Sequence, residues 1–420
     1  MTNRLKIKSI FPLTFLISLF LFSCASSEDS KKLLKPQTGK WLMNMQLKGV
    51  VLPFSFELNE QEGEYSILIS NAEERINIDG VRVFKDSIQF KMPVFESEFF
   101  LKVHAADSLS GHWINYYKSD DYIIDVWATT TKDSRFKGFS QTNKIPYKLH
   151  SKYEVEFSPN EDGAYKAIGL FEQDGDWVKG TFATETGDYR YLEGRVIGDS
   201  LFLSTFDGSH AFYFSAGIKD STLEGVFISG IHHRENWVAR QNSDFELRDP
   251  DSLTSLTDSS AISFSLPNSN GEVLSLGDSR FQNKVKIIQI MGSWCPNCLD
   301  ESRYFNSLYD KYAENGLEII ALAFERTRSE VQAINNLQRL SEKENLSYPI
   351  LLAGYNRDQH PRNIFPMLDK IMSYPTTLFL DKENRVRRIH TGFYGPGTGE
   401  YYDAYRAETE SFIEELLAED

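Results

Sequence analysis

Residues 292–301 read GSWCPNCLDE, with Cys295 and Cys298 two residues apart, behind Trp294 and ahead of Asp300 and Glu301. Such a pair has three chemical uses: half of a zinc site, a structural cross-link, or a dithiol that exchanges electrons with another disulfide. A cross-link spanning two residues closes too short a loop to constrain the unfolded chain, so it would add little stability. Zinc needs a second pair of suitably spaced ligands, and the downstream histidines His360 and His390 stand apart. The only other cysteine is Cys24, far from the pair. A lone C-x-x-C without metal partners points to redox exchange.

The elements around the pair have to hold it at a definite depth. KVKIIQIM (284–291) and LEIIALAF (317–324) are near-continuous apolar runs of strand length, as buried parallel strands require. Between them Phe305, Leu308, Tyr309 and Tyr312 recur at helical spacing and define a buried face. Cys295 then falls at the helix N-terminus, where free N–H groups and the dipole stabilise a thiolate, and Cys298 falls one turn deeper. Pro296 suits the first helical position, which needs no N–H. Glu301 precedes Phe305 by four and Leu308 by seven, which puts it on the apolar face below Cys298. A carboxyl there would have a raised pKa and would exchange a proton with the deeper thiol. The alternative is a first-turn acid that favours the helix dipole and points to water. Further on, Thr327-x-x-Glu330 reads as a capping box opening the helix SEVQAINNLQRLSEKE. YPILLAG, a loop with Pro361 and Pro366, the strands TTLFLD and RVRRIHTG and a helix YYDAYRAETESFIEELL complete an α/β domain over 262–420.

A strand, WCPNC at a helix start, a glutamate three residues beyond the second cysteine and SYPTTLFLD (373–381) together resemble the thioredoxin superfamily. More narrowly, they resemble its TlpA/ResA-like membrane-tethered thiol–disulfide oxidoreductases. The resemblance covers roughly 262–420. It implies that Pro375 is cis and faces the cysteines, and that Tyr374 offers backbone groups to an extended substrate. Trp294, Tyr374 and Thr376 are then expected to bind substrate, with Cys295, Cys298, Glu301 and Pro375 catalytic. Thioredoxin itself carries a buried Asp six residues before the first cysteine, where this chain has Gln289; Glu301 stands as the acid that has moved. A peroxidase of the peroxiredoxin type is disfavoured, because the Thr it needs three residues before the cysteine is Gly292. YGPGTGE (394–400) lacks a following Lys-Ser/Thr and reads as a loop leading into the last helix rather than a phosphate cradle.

The rest of the chain has a different texture. Residues 41–248 read as short β-branched and aromatic strands punctuated every 8–12 residues, an antiparallel all-β pattern. KDSIQFKMPVFESEFFLKVHAADSLSG (85–111) matches GDSLFLSTFDGSHAFYFSAGIKDSTLEG (198–225), and INIDG (76–80) parallels RYLEG (190–194). The matches predict two copies, 41–140 and 141–248, as a pair of β-sandwiches or one larger closed sheet. Trp113, Tyr116, Tyr117 and Trp127 read as core or cross-strand aromatics, with a ligand cleft as the other use. His232–His233 lacks a third spaced metal ligand, so no metal is expected. DPDSLTSLTDSSA (249–261) is a linker.

MTNRLKIK followed by a thirteen-residue apolar run and LFSC resembles a bacterial lipoprotein signal (1–23), with Cys24 lipidated and a solvated tether over 24–40. That run is too short for an ordinary membrane span. Ala25 after the cysteine favours outer-membrane delivery by analogy with enteric bacteria. The formal charge of −15 argues against nucleic acid.

The expectation is therefore multidomain: a duplicated all-β region that holds a thioredoxin-like domain away from a membrane. The dithiol would reduce protein or peptide disulfides. No flavin or nicotinamide motif is present, so no cofactor beyond the cysteine pair is expected and electrons would come from a membrane donor. Two other readings remain open at this level: a disulfide oxidant or isomerase, and an envelope ligand-binding lipoprotein whose β modules carry the function.

Overall fold

The computed structural model describes residues 34–131, 135–137, 145–258, 262–327, 329–355 and 361–419. The signal segment, Cys24, most of the tether and the end of the linker lie outside them. From Leu34 onward the chain is one compact unit. No helix among the described residues is long and apolar enough to cross a membrane.

Eight antiparallel strands between Gly39 and Thr130 pair each with the next, and the first pairs the last, with Met43 opposite Ala128. The sheet is therefore a closed barrel. A second ring of eight runs from Lys152–Phe157 to His233–Gln241; these two strands also pair, with Val155 opposite Ala239, and the two-residue strand Gly187–Asp188 lies alongside. Two closed barrels thus replace the sandwiches or single sheet expected, because joining first strand to last leaves no unpaired edge. The repeat read from the sequence falls on the fifth to seventh strands of each ring. It is visible in matching hydrogen bonds, Val103 N–H to Asp86 O at 2.6 Å and Ile218 N–H to Asp199 O at 2.8 Å.

The barrels are tied together by Arg135, which is 1% exposed. It donates to Asn71 Oδ1 at 2.8 Å on the first barrel and to Ser204 O at 2.9 Å on the second.

In the C-terminal domain a five-stranded sheet has the spatial order Ile350–Gly354, Leu317–Phe324, Val285–Met291, Thr376–Leu380, Val386–Thr391. The first three strands are parallel, and Thr376–Leu380 pairs antiparallel with both of its neighbours. Ile287, Ile319 and Phe379 pack in one cluster with helices α1 (Pro296–Tyr312), α2 (Glu330–Glu344) and α3 (Glu400–Ala418). Ile288, Ile320 and Leu378 face a cluster made by Ile262, Phe264, Phe281 and Phe365. Helix α2 is capped by Ser329, whose hydroxyl accepts from Gln332 N at 3.2 Å, and not by the expected Thr327. Both hydroxyls precede the helix; Ser329 has the extended backbone of an N-cap, while the Thr327 hydroxyl donates to Ser329 O at 2.9 Å.

Candidate active site

The all-buried strand Val285–Met291 delivers the chain to Trp294 and Cys295, and Cys295 is the N-cap of α1. Its sulfur accepts from Cys298 N at 3.2 Å, and its thiol lies 3.4 Å from Tyr374 O. An N-cap side chain aimed at free helix N–H groups is where a thiolate is best accommodated. Both cysteines are free thiols; Cys295 keeps 6% exposure and Cys298 none. Burial pushes the Cys298 thiol well above its ordinary pKa, and its neighbour Cys295 adds to the effect. Cys298 therefore needs help to lose its proton.

Glu301 lies one turn below, fully buried. Its carboxyl accepts from Gln289 Nε2 at 2.8 Å and from Thr377 Oγ1 at 3.0 Å. Burial drives its pKa up to about 8, against the pull of those two donors. No cation sits among the hydrogen-bond partners described for it, so desolvation dominates. Gln289 also reaches Cys298 O at 3.3 Å and accepts from Ser302 Oγ at 3.1 Å, which fixes its amide between the thiol's backbone and the acid. Glu301 is thus an inward-facing group rather than a solvated first-turn acid.

The Tyr374–Pro375 bond is cis, and Tyr374 O is the carbonyl beside the Cys295 thiol. Trp294 is half-buried; its indole N–H donates to Phe324 O at 3.0 Å, and its ring meets that of Tyr374 edge-on at 5.3 Å. Thr376 does not join this rim: it is fully buried, and its hydroxyl donates to Ser373 O at 2.9 Å, because its side chain turns into the domain.

Sequence reasoning missed that residues of both barrels meet this rim. Tyr117 stacks on Trp294 with ring centroids 5.3 Å apart and planes at 7°. Arg326 donates to the Tyr117 hydroxyl at 2.8 Å, with its guanidinium carbon 4.1 Å from the Trp294 centroid. From the second barrel, Asp188 O accepts from Asn297 Nδ2 at 3.2 Å, and Ser209 Oγ donates to Trp294 O at 3.3 Å. Behind Cys298, Arg190 joins Glu74 at 2.5 Å, Asp300 at 3.0 Å and Asp207 at 3.6 Å, so that both barrels and α1 share one buried cation. Of the barrel residues only Tyr117 stood out in the sequence, as one aromatic among several.

Among the described residues no group of three His, Cys, Asp or Glu side chains is placed to hold a metal ion. His232 instead hydrogen-bonds Tyr122 at 2.7 Å.

Residues 257–389 match the AhpC/TSA family. The thiol-disulfide oxidoreductase ResA of Geobacillus kaustophilus is 28% identical over 134 residues, which is 32% of this chain and 68% of that protein. The thioredoxin-like protein YneN of Bacillus subtilis is 30% identical over 137 residues, 31% of this chain and 69% of that one. A crystal structure of a thioredoxin-family thiol:disulfide interchange protein from Chlorobium tepidum covers 39% of this chain and 99% of its own, with 18% identity and a TM-score of 0.31.

Proposed function

Because the chain belongs, through its C-terminal domain, to the thioredoxin-like thiol–disulfide oxidoreductases, we propose that it reduces protein or peptide disulfides in a bacterial cell envelope. Lipid on Cys24 would anchor it, with the outer membrane favoured. Cys295, as thiolate, attacks one sulfur of the substrate disulfide; that S–S bond breaks, the first substrate thiolate leaves, and a mixed disulfide forms. Glu301 accepts the Cys298 proton, and the Cys298 thiolate attacks Cys295 and expels the second substrate thiolate. Two electrons pass to the substrate, leaving a Cys295–Cys298 disulfide that a dithiol donor at the membrane restores. Tyr374, Pro375 and Trp294 form the lip over which substrate sulfur arrives. The cysteine pair itself is the redox group, and no separate cofactor enters the scheme.

The observation that carries this reading is the stacking in depth of three groups: an N-cap sulfur, a fully buried second thiol, and a buried carboxyl with a pKa of about 8. Titration of the pair against thiol–disulfide buffers tests it. A reversible two-electron couple near about −270 mV supports a reductase, whereas about −120 mV assigns the pair to disulfide donation. The absence of any reversible couple removes the redox reading altogether.

A further inference from the structure

In a barrel whose neighbouring strands run in opposite directions, alternate connections lie at the same end. The barrel segments that reach the cysteine site are such connections: 116–122 of the first barrel, 185–191 and 207–210 of the second. Together they surround the approach to Cys295. On the Trp294 side stand Tyr117, stacked on the indole, and Ser209, bonded to its carbonyl. Beside Tyr374, Thr186 O accepts from Ser373 Oγ at 2.7 Å. The same loop touches the helix side through Asp188 and Asn297. Two glycines allow this close approach. A Cβ on Gly187 (φ +136°) would lie 2.3 Å from Asn297 Nδ2, and one on Gly392 would lie 2.9 Å from Thr186 C. Residues 186–188 therefore span from Ser373, beside Tyr374, to Asn297, two residues beyond the reactive sulfur.

We infer that these loops form a substrate-selecting collar, with Tyr117 and Thr186–Asp188 as its specificity-determining parts. The substrate class it admits is a cysteine in an extended, unfolded polypeptide segment; a disulfide on the surface of a folded protein is turned away. This rests on the dithiol reading above. An extended chain is only about 5 Å across in the direction of strand pairing, thin enough to approach the half-buried Tyr374 beside Cys295 as an added strand. A folded surface brings neighbouring bulk that meets Tyr117 and the 186–188 bridge before its sulfur reaches Cys295.

The test is a single-turnover assay of the reduced full chain with two mixed disulfides of nitrothiobenzoate. One is on the cysteine of a short unstructured peptide, the other on a surface cysteine of folded ubiquitin. Rates are normalised to those of dithiothreitol on each substrate, and release from the peptide is expected to be faster by about 30-fold. Tyr117→Ala is expected to lower that ratio about tenfold, while Tyr117→Phe, which keeps the stacked ring, retains it. Unfolding curves matching the wild type confirm that the variants are folded. Normalised rates equal within about twofold in the wild type, or a ratio in Tyr117→Ala equal to the wild type's, would overturn the collar. Release from neither substrate, with Cys295→Ser equally silent, overturns the dithiol reading itself, a pattern distinct from the loss of selectivity alone.

Discussion

Asp300 and Glu301 are adjacent on α1, both buried, and they serve two different sites. The Asp300 carboxylate turns outward to Arg190, and through it to Glu74 and Asp207 on the barrels. Glu301 turns inward to Gln289 and Thr377, both uncharged. The consequences for protonation differ. Burial acts to raise the Asp207 carboxyl, but His210 and Arg190 outweigh it and the pKa falls below its ordinary value. Burial raises Glu301 to about 8, and its neutral donors only moderate the rise. Within the outward cluster Arg190 helps to lower Asp207 but not Glu74, where burial and the neighbouring acids still win, so the shared cation serves as an adhesive between modules; around Glu301 dipoles alone leave the acid able to pick up and release a proton near neutral pH. A one-residue step around the helix separates docking from proton transfer.

Arg190→Met should break the outward site most severely, because it removes the cation shared by Glu74, Asp207 and Asp300, leaving Arg303 to meet only Asp300 and His210 only Asp207. A loss of about 3–5 kcal/mol is expected, measured by urea unfolding of the full chain. A loss under about 1 kcal/mol would show that the cluster is hydrated and adds little.

Glu301→Gln should do the reverse: stability within about 1 kcal/mol of wild type, but resolution of the mixed disulfide by Cys298 slowed about 100-fold. Attack by Cys295, followed as thiol release in the first turnover, should change far less. Wild-type resolution should accelerate as pH rises through about 8, where Glu301 ionises, and the variant should lack that inflection. Linkage gives a second readout. The folded chain keeps a proton on Glu301 up to about pH 8, whereas the unfolded chain releases it near 4.5. Folding therefore takes up a proton between those values, and stability falls as pH rises through the window. In Glu301→Gln that slope should flatten. Equal pH profiles for the two proteins would remove Glu301 from the proton path.

Thr377→Val is the mildest of the three. It removes one donor to the ionised carboxylate, so the resolution midpoint should move upward, by less than about one pH unit. A downward shift would mean that Thr377 does not donate to that carboxylate.

The inward site was largely legible in the sequence, because its information is local. A strand of continuous apolar residues, a C-x-x-C pair and a heptad of aromatic and aliphatic positions, all within residues 284–312, fix the depth of Cys295, Cys298 and Glu301. Gln289 was noticed only as a departure from thioredoxin, and its contact with Glu301 follows from its fully buried place on the neighbouring strand. Thr376 was misplaced on the rim because strand alternation alone does not say which face a residue next to a loop presents. The outward site was invisible. Tyr117 and Trp294 are 177 positions apart, and Arg190 and Glu74 are 116 apart. No local pattern marks either pair. The duplication was legible, but barrel closure depends on pairing the first strand with the last, which periodicity within a strand does not encode.

The stack of Tyr117 on Trp294, next to the reactive sulfur, has a consequence for equilibrium as well as access. Whatever free energy the barrels gain by docking on the dithiol form rather than the disulfide form must reappear, with equal magnitude, as a change in the reduction potential of the pair. For a two-electron couple, about 1.4 kcal/mol of such preference corresponds to about 30 mV. A ligand that loosens or tightens the barrels would thereby tune the electron affinity of two sulfur atoms it never touches.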